Sequence, residues 1–458
     1  MEPSIPTFAV VGRTNKGKSS LVATLTENDR IAVAPTPRTT TYAQDFTYKV
    51  DGKALFTIYD TPGFEEAPAI LEWLKSVPVA AHERKDRVLE FYRTFHGSGQ
   101  FRYECELLKP ILDGAAILYV ADGSHPFRPN FECEFEILQW TGQPSIALLN
   151  QIGKGDYEDE WKRALQQYFK AVRVFNTHTA WVHDRIALIE ELTFLSESMA
   201  ESLRKATAAM RRQLMNRLKD SAHVVAGLLS ESLSFELKVD LKDPMSDAEA
   251  SRKFFDKLRE KELKARSGIG LIFGFHDLNI LDHQDLPTGF DQDLFSKETW
   301  EVLGLNRREL MTIGTASGAL AGGTIDAMVG GASFMTGTGI GGLLGGLSSA
   351  YLAFSDPEIA GLKLGKKKRT IGPYKNPNFP WVLIDRQTAF VNALMKRTHA
   401  DRRELKYAAH QGPAAQIGAK DKAHLGFLFQ CIRLGIRTRP SLETLEIELQ
   451  KFFVALRA

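Results

Sequence analysis

Residues 6–19 read Pro-Thr-Phe-Ala-Val-Val-Gly-Arg-Thr-Asn-Lys-Gly-Lys-Ser, and they decide the fold of the first part of the chain. The apolar run 6–12 ends in glycine and predicts a buried strand, while 17–27 predicts a helix. Between them, residues 12–19 match G-x-x-x-x-G-K-[S/T]. Phosphate oxygens need backbone N–H groups that converge with no side chain in the way, and Gly12 and Gly17 permit that approach. The helix that follows adds its positive N-terminal end. Gly12, Arg13, Thr14, Asn15, Lys16, Gly17, Lys18, Ser19 and Ser20 are therefore candidate nucleotide-binding residues. Lys18 is expected to reach the β- and γ-phosphates and Ser19 to hold Mg²⁺.

Working outward, alternation over 45–50 and further apolar runs at 55–60, 115–121, 145–150 and 171–176 predict strands. Helical patterns at 128–141 and 156–170 lie between them, and 65–112 is expected to hold two helices. Alternating strands and helices predict an α/β fold, a three-layer P-loop NTPase domain whose mainly parallel sheet is covered on both faces. After about residue 180 the pattern becomes helical. The expected organisation is a P-loop domain over 1–182, a helical linker or domain over 183–310, a glycine-rich apolar helical hairpin over 311–356 and a basic helical C-terminal region over 357–458. A length of 458 residues allows two or three domains.

Two more motifs support the first. Asp60-Thr61-Pro62-Gly63 directly follows the strand at 55–59. An acid at the end of such a strand can reach Mg²⁺ through water. Gly63 can offer its N–H to a terminal phosphate and give way when that phosphate leaves. Arg38-Thr39-Thr40-Thr41 lies in a proline-rich loop between the two motifs, where a threonine can close over the metal.

The order of phosphate loop, Thr-Thr pair and Asp-Thr-Pro-Gly resembles the TrmE–Era class of bacterial GTPases. The resemblance implies a Mg²⁺-dependent, K⁺-stimulated GTPase with GTP and GDP as its ligands. Lys18, Thr40 and Gly63 are then the catalytic group, Ser19, Thr40 and Asp60 hold Mg²⁺, and Asn15 helps bind K⁺. Thr40 lies 22 residues after Lys18. The residue after Gly63 is Phe64, which cannot orient a water; Glu65, Glu66 and Glu72 are the alternatives. The class reads its base with N-K-x-D, and here the strand at 145–149 runs into Asn150-Gln151-Ile152-Gly153. The asparagine is kept, the lysine and aspartate are replaced, and Asp156 comes three residues late. Asn176-Thr177-His178 stands for the second base loop, so Asn150 and Asn176 complete the candidate nucleotide site. The whole chain is also similar to a bacterial family that joins an Era-like GTPase domain to a C-terminal domain of unknown function numbered 3482. That similarity rests on Asn-Gln-Ile-Gly, the glycine-rich middle and residues 378–386.

Glycines 314, 318 and 322, and again 337, 341 and 345, fall four apart, a spacing that brings two helices close. Residues 327–355 are uncharged for 29 positions, long enough to cross a ~30 Å hydrocarbon core. Lys366-Lys367-Lys368-Arg369 follows, as a basic anchor at a membrane surface would. A hairpin buried inside a soluble domain has the same spacing.

Net charge is +2 but uneven: residues 1–200 carry 21 Lys+Arg against 27 Asp+Glu, and the last 98 carry 19 against 7. Three cysteines with no zinc spacing exclude a disulfide scaffold and a zinc finger, and imply a reducing compartment. No secretory signal begins the chain. The expected location is the cytoplasm, with the inner membrane as a peripheral site. His178, His183 and His399 show no metal spacing, Trp381 reads as a packing anchor, and Arg397, Arg402 and Arg403 as a solvated face. Three functions remain: a GTPase switch controlling the helical part at a membrane or membrane protein, with dimerisation governed by the nucleotide; a GTPase on RNA or the ribosome; and a nucleotide-binding module with little turnover and relaxed base choice.

Overall fold

The computed structural model describes residues 5–31, 40–240, 245–276, 294–295, 308–309, 363–364, 368–401, 413–435 and 439–455. The glycine-rich segment 311–356 lies outside the described residues, as do Arg38, Thr39, Lys366, Lys367, Arg402 and Arg403. The chain divides into two compact units, residues 1–214 with 395–403, and residues 215–394 with 404–458.

The first unit is built on a six-stranded sheet. Its strands are β1 (Thr7–Val11), β2 (Gln44–Val50), β3 (Lys53–Asp60), β4 (Ala116–Asp122), β5 (Ser145–Asn150) and β6 (Val172–Val174). Their order is β2-β3-β1-β4-β5-β6. Only β2 runs antiparallel, joined to β3 by a tight turn at Asp51-Gly52. The helices are α1 (Lys18–Thr26), α2 (Ala67–Lys75), α3 (Arg84–Phe95), α4 (Arg102–Leu112), α5 (Glu132–Trp140), α6 (Glu158–Leu165), α7 (Val182–Glu191) and the start of α8 (Glu197–Leu233). Ala9, Val11, Ile117, Tyr119, Ala121, Ala147 and Leu149 form one apolar core with residues of α2, α3, α4, α5 and α6. The alternate residues Phe8, Val10, Leu118, Val120, Ile146 and Leu148 are equally buried on the other face. Burial on both faces is what a parallel sheet requires, and it explains why these strands read as continuous apolar runs.

β1 lies between β3 and β4, parallel to both. The connections leave it in opposite directions, which opens a crevice beyond the carboxyl ends of the strands. The loop carrying Gly12–Ser19 leaves β1 at that crevice. Residues 65–112 hold three helices rather than the expected two. Pro78 follows the end of α2, and Gly97 and Gly99, at φ 83° and 84°, separate α3 from α4.

The second unit contains α9 (Asp247–Ile272), α10 (Phe379–Lys396, most of which lies here), α11 (Ala419–Arg433) and α12 (Arg439–Ala455). A capping box opens α9: Ser246 Oγ accepts from the Glu249 N–H at 3.2 Å, and Glu249 Oε2 accepts from the Ser246 N–H at 2.9 Å. Ala250, Phe254, Leu258, Glu262 and Ile269 line the buried stripe of α9 at helical spacing. α10 is buried on nearly every side from Phe379 to Val391, as suits a central helix. This part is mostly helical, as expected, and it also holds a small sheet. β7 (Leu237–Asp240), β8 (Lys363–Leu364) and β9 (Lys368–Ile371) form an antiparallel sheet in the order β7-β9-β8. These strands are short and rich in lysine, so they lack the apolar run that marks a core strand. Among the described residues, no helix is long and apolar enough to cross a membrane.

Candidate functional site

The phosphate loop is built by close backbone packing. Gly12 has φ 137°, and a Cβ there would fall 2.4 Å from the Val120 carbonyl oxygen. Gly17 has φ 91°, and a Cβ there would fall 2.3 Å from Asn150 Nδ2. No L side chain fits either place. Asn15 is also left-handed, at φ 61°.

Three oxygen-bearing side chains from three separate segments meet at one carboxyl group. Ser19 Oγ donates to Asp60 Oδ2 at 2.7 Å, and Thr40 Oγ1 donates to the same atom at 3.1 Å. Asp60 Oδ1 is buried with no hydrogen-bond partner. Burial pushes the Asp60 carboxyl above its ordinary range, against the hydrogen bonds from Ser19 and Thr40 and the nearby Lys18 charge. A buried carboxyl oxygen without a donor is costly. Two hydroxyls and a carboxylate are the ligands a hard divalent cation takes, so these residues fit Mg²⁺.

Lys18 is buried, and its Nζ donates to the Arg13 carbonyl at 3.0 Å. Burial lowers its pKa to about 8, while Asp60 and Glu134 pull it upward. Gly63 packs onto the loop so closely that a Cβ would lie 2.7 Å from the Thr14 nitrogen. The Thr61 hydroxyl fixes the start of this turn by donating to the Val10 carbonyl at 2.7 Å. Phe64 is 5% exposed and belongs to the apolar core, so its ring anchors the segment. Glu65, Glu66 and Glu72 all have exposed side chains.

Asn150 is fully buried at the end of β5. Its Nδ2 donates to the Lys16 carbonyl at 3.3 Å, and its Oδ1 accepts from the Thr177 N–H at 3.1 Å and the Thr177 hydroxyl at 3.3 Å. It therefore ties the phosphate loop to the loop after β6. Asn176 Nδ2 donates to the Gln151 carbonyl at 3.1 Å, and its Oδ1 accepts from the His178 N–H at 2.9 Å. Gln151 donates to the Gly155 carbonyl. A Cβ on Gly153 would lie 2.9 Å from Ser124 Oγ, and Asp156 accepts from the Glu158 N–H at the start of α6.

Two networks beside the loop are absent from the sequence reading. Arg13 pairs with Glu134 Oε1 at 2.5 Å and stacks 3.7 Å from the Phe131 ring centroid, and the Tyr119 hydroxyl donates to Glu134 Oε2 at 2.8 Å. Lys16 Nζ donates to Asp122 Oδ2 at 3.1 Å, and the Ser124 hydroxyl donates to Asp122 Oδ1 at 2.6 Å. Glu134 sits in the acidic first turn of a helix, which reads in sequence as a solvated face. Asp122 is a lone acid ending an apolar run, and its signal equals that of Asp60.

A glycine-built phosphate loop at the crevice of a parallel sheet, with Ser19, Thr40 and Asp60 gathered beside it, defines a P-loop domain of the GTPase kind. Residues 7–151 match the family described as "50S ribosome-binding GTPase". Residues 162–433 match the family described as "Domain of unknown function (DUF3482)", and the chain, matched over more than half its length, belongs to that family.

GTPase Der of Malacoplasma penetrans is 26% identical over 174 residues, which is 38% of this chain and 33% of that one. GTPase Der of Rhodopirellula baltica is 42% identical over 63 residues, 14% of each chain. The chain thus spans a third or less of the length of these relatives. Among solved structures, Era of Aquifex aeolicus bound to GDP and AlF4⁻ aligns over 59% of this chain and 90% of that one, at 14% identity and a TM-score of 0.29.

Proposed function

We propose that the chain binds GTP with Mg²⁺, hydrolyses it, and uses the change to control its helical C-terminal part. The observation that carries this reading is the meeting of Ser19 and Thr40 on Asp60, with Asp60 Oδ1 buried and without a donor. Mg²⁺ bound there would neutralise charge on the β- and γ-phosphates. The amides of residues 12–20 bind phosphate oxygens, and Lys18 supplies a fixed positive charge in a buried place where it counts for more than in water. Thr40, which donates to Asp60, and the Gly63 turn, which packs on Thr14 of the phosphate loop, are the two segments that a terminal phosphate would order and that its loss would release.

Asn150 and Asn176 spend their side chains on neighbouring loops, and position 153 has no side chain. Guanine is favoured on the switch motifs, with relaxed base choice as the alternative. Asn15 is the candidate K⁺ ligand.

Lys18→Ala and Ser19→Ala test the site. Both are expected to lose triphosphate binding or turnover in a panel of GTP, ATP and their diphosphates. Wild-type hydrolysis in both variants would refute the assignment. Asn15→Ala is expected to abolish K⁺ stimulation, and an unchanged response to K⁺ against Na⁺ rejects that role. The uncharged stretch 327–355 and the basic run after it support a membrane or membrane protein as the partner of the switch. Liposome flotation with GDP and with a GTP analogue tests this, and no flotation in either state discards it.

A further inference from the structure

α2 begins without a cap of its own: the side chain at its N-cap, Glu66, makes no capping hydrogen bond. The first amides of a helix need acceptors from outside it. Here one atom from another helix takes the amides of the N-cap residue and of the residue before it. Glu104 Oε1, on α4, accepts from the Glu65 N–H at 2.9 Å and the Glu66 N–H at 2.8 Å. Glu104 is 2% exposed, so its carboxyl group is in the protein interior and aimed at these two amides. An acid at a helix N-terminus also meets the favourable end of the helix dipole.

The two amides directly follow Gly63-Phe64. On the other side of that glycine, Thr61 is fixed to β1 through the Val10 carbonyl. The turn is therefore pinned at both ends, with Pro62, Gly63 and the core-anchored Phe64 between the pins and Gly63 against Thr14 of the phosphate loop. Two residues along α4, Glu106 Oε2 accepts from the Ala43 N–H at 3.3 Å, three residues after Thr40. The same helix thus touches both segments that flank Asp60.

We infer that Glu104 is a positioning residue for the terminal phosphate: by accepting the amides of Glu65 and Glu66 it holds the Gly63 turn over the phosphate loop, and so favours the triphosphate over the diphosphate. This rests on the nucleotide reading above. A cap that merely stabilised α2 would not distinguish the two nucleotides, because both fill the same loop.

The experiment compares wild type, Glu104→Ala and Glu104→Gln for binding of GDP and of a non-hydrolysable GTP analogue, with Mg²⁺ present. Glu104→Ala is expected to lose about tenfold in affinity for the analogue, the scale of a lost hydrogen bond to a charged group, with GDP affinity unchanged. Glu104→Gln keeps an oxygen that accepts both amides and is expected to restore the preference. Equal losses for both nucleotides, or no loss for either, overturn the inference while leaving the site reading intact. Hydrogen exchange on the wild-type chain covers the case in which Glu104→Ala does not fold. The amides of residues 63–66 are expected to exchange more slowly with the analogue than with GDP, and equal exchange overturns the inference. A wild-type chain that binds neither nucleotide removes the site reading itself, and the inference with it.

Discussion

The Ser19 hydroxyl donates to Asp60 Oδ2 over 2.7 Å, between residues 41 apart in sequence, and Thr40 reaches the same oxygen. The phosphate loop, the loop before β2 and the end of β3 thereby share one acceptor. Removing Asp60 leaves both hydroxyls without it and takes away the one anionic group among the three.

Asp60→Ala is accordingly expected to weaken Mg²⁺-dependent triphosphate binding by about 10- to 100-fold, the range seen when a group that orients metal ligands is lost. Binding measured in EDTA should barely change, because the affected term is the metal's. Titration of Mg²⁺ at fixed nucleotide checks this, and an unchanged Mg²⁺ midpoint would count against the role.

Asn150 joins the Lys16 carbonyl to Thr177 through three hydrogen bonds, the two to Thr177 in the interior. Asn150→Ala leaves the Thr177 N–H without its partner and opens the contact that fits Gly17. The expected cost is about 1–3 kcal/mol in urea unfolding, with a parallel loss of nucleotide affinity. Asn150→Asp keeps the acceptor for Thr177 but turns the Lys16 contact into one between two acceptors, so it should recover only part of the loss. Equal stability of all three chains would show that the tie carries no energy.

Much of this site is legible in sequence because its parts are local. Gly12, Gly17, Lys18 and Ser19 lie within one loop, and Asp60-Thr61-Pro62-Gly63 follows one apolar strand. What is not legible is what reaches the site from far along the chain. Glu104 and Glu134 are acids on amphipathic helices, and in sequence they look like the solvated acids beside them. Only the packing of α4 and α5 against the sheet places them inside. The β7-β9-β8 sheet is hidden for another reason: its strands are two to four residues long, too short to make a periodic signal. The three helices of 65–112 needed the left-handed Gly97 and Gly99 to be recognised as a break.

The second unit has a charged core of its own. Glu262 of α9 accepts from Arg266 at 2.9 Å, from Arg386 at 2.7 Å and from Gln387 at 3.1 Å, all in the interior. Burial lowers the Arg266 pKa to about 10, against the Glu262 charge that raises it. Glu262→Ala would remove the buried carboxylate with which both guanidinium groups pair. The expected destabilisation is about 3–5 kcal/mol, read by calorimetry. Nucleotide binding by the first unit is expected to survive under conditions where the variant remains folded. A variant as stable as wild type would show that the pair contributes nothing net.

The last expectation concerns acid stability at Asp122. Burial pushes its carboxyl upward, but the Ser124 hydroxyl and N–H and the Lys16 ammonium outweigh that, and the pKa lies below its ordinary 3.8. The folded state thus prefers the charged form more than the unfolded chain does. That preference stabilises the fold above the unfolded pKa and is lost as pH falls through the folded one. Asp122→Asn removes the charge at every pH, so its deficit against wild type should be full at pH 7 and shrink below about pH 4. Ser124→Ala weakens the same preference and should bring acid unfolding on at higher pH than in wild type. Urea unfolding at pH 7 and pH 3 separates the outcomes. A deficit in Asp122→Asn that is the same at both would show that packing, rather than the carboxylate's partners, is what Asp122 provides.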